Sequence, residues 1–373
     1  MHIRRIAWGR AALLGLLLAG LLAGAARDAR AQSGRKPQGQ PPGEKPVLRL
    51  ETREVVVPLM AYDANGNYVD DLKEKDVIVL EEGESRPVAS LKREPANIVL
   101  ILDGANEIGT YKNGPTQLAP LEDKPIWERG GPGYKTMARP TARQFAENFV
   151  GGLSPNDQIS ILQYADKVQV LQDWTRDRQQ ALTALESKYR VGIKSTYFDA
   201  LKLAAEKLAA CKEGRRVIVL VSDGIDSASK ASRSKAMLAL EKSRAVVFVV
   251  GWADALHRDV EFAAKWMAAH ETQSSSTAKR IDELRRYLPR IDSAGVELEQ
   301  LAESSGGEYW SPPTHQDIVK MNGTLARVIG AQYSLSFVTE QKPSMENSRS
   351  IQVLAARAGL SVRSRRTYYA GDE

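Results

Sequence analysis

The sequence predicts an α/β fold: a doubly wound, mostly parallel sheet flanked by a small β unit drawn from strands near both ends of the chain. Three observations carry this prediction. Apolar runs at 98–102, 159–164, 217–221 and 245–250 are continuous rather than alternating, as in strands buried on both faces of a helix-covered parallel sheet. Helical stretches lie between them. Phe198, Leu201, Ala205 and Leu208 recur at three- and four-residue steps, and Leu298, Leu301 and Ala302 do so before Gly306-Gly307 stops a helix. On either side of this alternation the texture turns to short β runs.

Taken in order, residues 1–31 read as a signal peptide. Arg4, Arg5 and Arg10 precede an apolar run at 11–26 that closes on Ala29-Arg30-Ala31, so cleavage is expected before Gln32. The run is short for a membrane span of about 20 residues; an uncleaved membrane anchor is the alternative, and no transmembrane segment is expected after cleavage. The reading is an exported protein, periplasmic or secreted. Residues 32–46, rich in Pro, Gly and Gln, form a flexible linker. Residues 47–95 form a β-strand unit with runs at 47–57, 59–62, 77–80 and 87–91. Asn65-Gly66 signals a hairpin between two of them, with positive φ expected at both residues. About fifty residues make a poor core alone. The α/β domain spans 96–330, and residues 331–373 return to β runs. Pairing of that tail with 47–95 would give the β unit its core and make the α/β domain an insertion within it.

Composition narrows the function. Of 373 residues, 43% are hydrophobic and 26% charged, which excludes wholesale disorder and a multi-span membrane protein. The signal segment holds five arginines against one aspartate, so its removal lowers the formal charge from +6 to +2. A nucleic-acid partner therefore has no support. The single cysteine, Cys211, excludes a disulfide framework and cysteine zinc sites, and reads as a small buried hydrophobe on a helix.

Ligands of open α/β sheets bind beyond the carboxyl ends of the strands. Asp103 directly follows the run at 98–102, and Asp223 follows the run at 217–221 and Ser222. Ser195-Thr196 opens the helix that starts near Phe198. Two carboxylates and hydroxyls, with no His or Cys, form a hard-oxygen set suited to Mg²⁺, Mn²⁺ or Ca²⁺. Either aspartate alone reads as a cap or turn former.

The order and spacing of these loops resemble the von Willebrand factor type A domain. In that family a strand ends in an Asp-x-Ser-x-Ser loop, a later loop supplies Thr and a third supplies Asp. Together they form a metal-ion-dependent adhesion site, which a partner protein's carboxylate completes. Here the first loop reads DGANE (103–107), the second KSTYFDAL (194–201) and the third VSDGIDSAS (221–229). The resemblance implies metal ligands at Asp103, Glu107, Ser195, Thr196 and Asp223. Ser195 takes the Thr position by register, with Thr196 adjacent. Ala105 and Glu107 replace the two serines. The alanine side chain carries no ligand atom, so the site is degenerate: family-like metal binding, weak or altered binding and a lost site are the three outcomes. GNYVDDLKEKDVIVLEEG (66–83) and SVRSRRTYYA (361–370) further resemble the VWFA-related family common in Acidobacteria.

Two insertions interrupt the A-like domain. Residues 108–137 hold nine Gly or Pro in thirty, plus Trp127, and read as a partner-recognition loop or a tolerated excursion. Residues 253–292 predict two charged helices around Ser274, with Trp266, Met267, Leu284 and Tyr287 as a stripe packing on the domain. The expected function is a non-enzymatic interaction protein, for adhesion or assembly, with an unidentified protein partner. A metal-independent scaffold and a metal-assisted hydrolase are the alternatives. Against the hydrolase, no G-x-S-x-G or H-E-x-x-H occurs.

Overall fold

The computed structural model describes residues 53–105, 138–270, 274–340 and 344–370. The expected signal peptide and linker, Glu107 and the 108–137 insertion lie outside the described residues. Among those described, no helix is long and apolar enough to cross a membrane.

The chain opens with β1 (Arg53–Tyr62), β2 (Val77–Glu81), β3 (Glu84–Arg86) and β4 (Val88–Lys92). The α/β part follows as β5 (Ala96–Asp103), α1 (Ala138–Gly152), β6 (Gln158–Tyr164), β7 (Val168–Thr175), α2 (Arg178–Lys188) and α3 (Tyr197–Ala209). It continues through β8 (Arg215–Ser222), α4 (Arg233–Ser243), β9 (Val246–Gly251), α5 (Ala253–His270), α6 (Ser275–Ser305), β10 (Tyr309–Trp310) and α7 (His315–Ala331). The tail is β11 (Tyr333–Thr339), β12 (Ser344–Ala355), β13 (Ser361–Ser364) and β14 (Thr367–Ala370).

The central sheet has the order β10-β9-β8-β5-β6-β7, parallel except for the antiparallel edge strand β7. All eight residues of β5 are buried, as its unbroken apolar run requires. Alternate side chains enter two cores. Ile98, Leu100 and Leu102 meet Phe145 and Phe149 of α1 and Val328 of α7, while Val99 and Ile101 meet Leu201 and Ala204 of α3 and Leu240 of α4. Met267 and Leu284 are buried in the first of these cores, with Trp266 and Tyr287 against it, so that stripe packs on the domain. α6 is one 31-residue helix that contains Pro289 and carries Leu298 and Leu301 into the second core.

Strands from both ends of the chain interleave in two further sheets, β13-β1-β11-β4 and β14-β12-β2-β3. Val57, Leu59, Val79, Leu335, Phe337 and Ile351 close a third core between them. β1 runs unbroken through Pro58, a position where β11 pairs on one side and β13 has not yet begun, so the missing N–H is tolerated. The Asn65-Gly66 expectation is corrected. Only Gly66 has positive φ, and the segment makes one isolated bridge, Tyr62 to Tyr68, rather than a hairpin. The Asp63 carboxylate accepts the N–H groups of Asn65 and Asn67 and supplies the turn instead. Cys211 also departs from expectation: it lies just past α3, half-buried.

Candidate functional site

β5 and β8 are adjacent and parallel, paired from Ala96↔Arg215 to Leu102↔Val221. After β5 the chain crosses to β6 on one side, and after β8 it crosses to β9 on the other. The gap between their carboxyl ends is therefore the topological switch point of the sheet, where ligands bind in open α/β folds. Asp103 and Asp223 stand at those two ends.

The two aspartates meet there. Asp103 is buried, 3% exposed. Burial, then the Asp223 charge, push its carboxyl well above the usual carboxylate range, against hydrogen bonds that favour the ionised form. Those bonds come from the N–H groups of Ala105 and Asp223 and from the Tyr164 hydroxyl, the Ala105 bond being 2.8 Å. Tyr164 pairs with Asp103 in register across β5 and β6. Its hydroxyl lies 2.6 Å from Ser222 Oγ, which accepts the Gly224 N–H at 2.8 Å. Burial and the neighbouring carboxylates hold the Tyr164 phenol well above its ordinary value, so it stays a neutral donor to Asp103. Asp223 is half-buried and accepts the Ile225 N–H at 2.9 Å.

The hydroxyl loop reaches the same edge. Ser195 Oγ donates to the Ile225 carbonyl at 2.6 Å, and the Ser195 carbonyl accepts N–H groups of Ser227 and Ala228. Thr196 Oγ1 donates to the Ala165 carbonyl at 3.0 Å. Both side chains are buried. One is thus tied to the loop of Asp223 and the other to the end of β6, and each oxygen keeps lone pairs beyond the bond it donates. Gly104 is the second residue of the first loop. A Cβ there would lie 2.2 Å from Gln163 Nε2 and 3.1 Å from the Arg190 carbonyl, so any larger residue would push the Gln163 side chain aside and crowd that carbonyl.

The donor types fit a hard divalent cation. Asp103 is buried against the charge of a second carboxylate, and a bound cation is one way to relieve that repulsion. Asp103 and Asp223 would hold it directly, with Ser195 or Thr196 supplying neutral oxygens. Among the described residues no group of three or more His, Cys, Asp or Glu is placed to hold a metal, so hydroxyls, water or a partner must complete the shell. The Ala105 side chain offers no oxygen, its N–H bonding Asp103 instead, and Glu107 lies outside the described residues.

Sequence reading missed Tyr164, Ser222 and Tyr189, whose hydroxyl donates to the Asp103 carbonyl at 2.8 Å. The first two had a legible signal, since they end the strands flanking Asp103. Tyr189, after α2, had none.

Residues 130–284 match the model of the von Willebrand factor type A domain. Among solved structures, BatB from Bacteroides thetaiotaomicron is similar at 18% identity, over 42% of this chain and 66% of that one, with a TM-score of 0.30. Proximal thread matrix protein 1 of the mussel byssus, in a form with a zinc-occupied MIDAS motif, is 13% identical over 68% of this chain and 50% of its own, TM-score 0.40. Manganese-loaded TRAP protein of Plasmodium vivax is 11% identical over 78% and 98%, TM-score 0.36. The chain thus spans about two thirds of the BatB structure and half of the mussel protein. No curated protein sequence matches it. The family match runs through Ser195, Thr196 and Asp223, and the strand bearing Asp103 is central in the same sheet, so the chain carries a von Willebrand factor type A domain.

Proposed function

We propose that this chain is an exported, non-enzymatic interaction protein. Its A domain engages a protein partner at the edge formed by Asp103 and Asp223. The observation that supports this best is the meeting of the two carboxylates at the switch point, with Asp103 buried beside the Asp223 charge. A bound Mg²⁺, Mn²⁺ or Ca²⁺ would supply Lewis acidity and an open coordination position for a partner's carboxylate. This chain's own residues orient the site: Tyr164, Ala105 and the Asp223 N–H fix the Asp103 carboxylate, and Ser195 locks the Asp223 loop.

The second reading, a scaffold that binds without metal, rests on Ala105. A serine there could offer an oxygen, whereas this residue offers only an N–H directed at Asp103. Thermal unfolding separates the two readings. Residues 32–373 are melted in EDTA, then in millimolar Mg²⁺, Mn²⁺ or Ca²⁺, beside Asp103→Ala and Asp223→Ala. An ion that binds only the folded chain adds about 2.7 kcal/mol at a hundredfold excess over Kd. A stabilisation lost in both variants supports the metal site. No shift with any ion favours the scaffold.

A further inference from the structure

At the opposite end of the same sheet, where the parallel strands begin, lies a cleft of about 650 Å³ between the α/β domain and the outer face of β1, β4 and β11. Its lining contains six cations, Lys92, Arg176, Lys212, Arg215, Arg216 and Arg244, against two carboxylates, Glu94 and Glu213. Lys92 pairs with Glu94 at 2.8 Å. Arg215 is a buried part of the lining: its Nε donates to the Glu94 carbonyl at 2.6 Å and its Nη1 to Gln332 Oε1 at 3.3 Å. Gln332 is wholly buried, and its Nε2 has no hydrogen-bond partner among the described residues. A buried donor without an acceptor is costly to leave so, and Gln332 lies in the lining of the cleft. Arg176 and Lys212 are exposed lining residues.

We propose that this cleft is a second binding site, separate from the Asp103 edge, that takes an acidic peptide segment of a partner protein. The excess of cations selects carboxylates; Arg215 and Arg216 are held by backbone carbonyls, and the exposed Arg176 and Lys212 are the groups placed to meet a ligand carboxylate. The remaining lining argues for a peptide over a bare inorganic anion. Val56 and Pro58 offer apolar contact, while the Asn97 and Gln158 amides in the lining bond each other, Asn97 also donating to the Glu213 carbonyl at 2.6 Å. The volume falls in the range of about 300–1,000 Å³ typical of ligand pockets.

The test is fluorescence anisotropy of the full chain with a fluorescein-labelled peptide of alternating Asp and Glu, in EDTA so that no metal at the other edge can capture the carboxylates. Saturable binding is expected, weakened about tenfold or more by Arg176→Glu with Lys212→Glu and by raising salt from about 50 to about 200 mM. Asp103→Ala should leave it unchanged, and a lysine peptide should not bind. Arg176→Gln with Lys212→Gln, expected to lose about half the effect in logarithmic terms, guards against a misfolded charge-reversal variant. Absent binding in EDTA, or equal binding by wild type and both double variants, overturns the site. Displacement by inorganic phosphate or anionic vesicles at the same charge concentration overturns the peptide assignment.

Discussion

The two ends of the central sheet carry opposite charge and settle it differently. Where strands end and helices begin, carboxylates collect. Asp226 accepts the Phe198 N–H, and Asp199 accepts the N–H groups of Lys230 and Ala231. Where helices end and strands begin, guanidinium groups collect. Arg215 donates to the Ile329 carbonyl at the end of α7, and Arg216 donates to the carbonyls of Ser243, the last residue of α4, and of Cys211 just past α3. Arg178 likewise reaches Gly151 and Leu153 at the end of α1. The helix dipoles sort the charges, favouring anions at N-termini and cations at C-termini. The compensation nevertheless differs. Arg215 has carbonyl acceptors built in, whereas Asp103 is pressed against another carboxylate.

This contrast can be broken from either end, and neutralisation should act with opposite sign. The largest effect is expected at the strand-start end. Arg215→Leu strands the acceptors of three hydrogen bonds, two of them buried, and should cost about 3 kcal/mol or more in urea unfolding. A loss under about 1 kcal/mol would mean that water replaces the guanidinium, and the asymmetry would fail.

At the other end, Asp103→Asn should raise the melting temperature in EDTA near neutral pH by about 2–4 °C. The sign follows from linkage. The native carboxyl holds its proton more tightly than the unfolded one, so the native state loses stability as pH rises from the unfolded value through the raised native one. Wild type and Asp103→Asn should therefore converge on acidification, and a gap that widens at acid pH would refute the repulsion.

Smaller still, Asp199→Ala removes the acceptor of two loop N–H groups and should cost about 1 kcal/mol by chemical denaturation. The least effect belongs to the Arg176→Glu, Lys212→Glu pair, expected within about 0.5 kcal/mol of wild type. A larger destabilisation would make those side chains structural rather than free to meet a ligand.

Much of the switch point was legible beforehand because strand ends are local. An apolar run that stops at Asp103 or at Ser222-Asp223 places both carboxylates on one edge as soon as the strands are parallel. Neighbourhood was less legible. That β5 lies directly against β8, although more than a hundred residues separate them, depends on crossover connections that no local pattern encodes. The Asn65-Gly66 turn shows the converse limit. The dipeptide favours a hairpin, yet β1 finds better partners in β11 and β13, whose apolar faces close a core that a short hairpin could not.

What the sequence by itself determined was the set of elements: continuous runs that bury both faces, helices between them, and aspartates and hydroxyls at their boundaries. These follow from side-chain periodicity and backbone preference, which act over a few residues. The tertiary structure alone decided that β1 and β11 pair across the whole inserted domain, that Tyr164 and Ser222 join Asp103, and that Arg215 and Gln332 meet in a basic cleft. Those contacts join positions far apart in the chain, and they form only when burial of the three cores offsets the entropy of bringing them together.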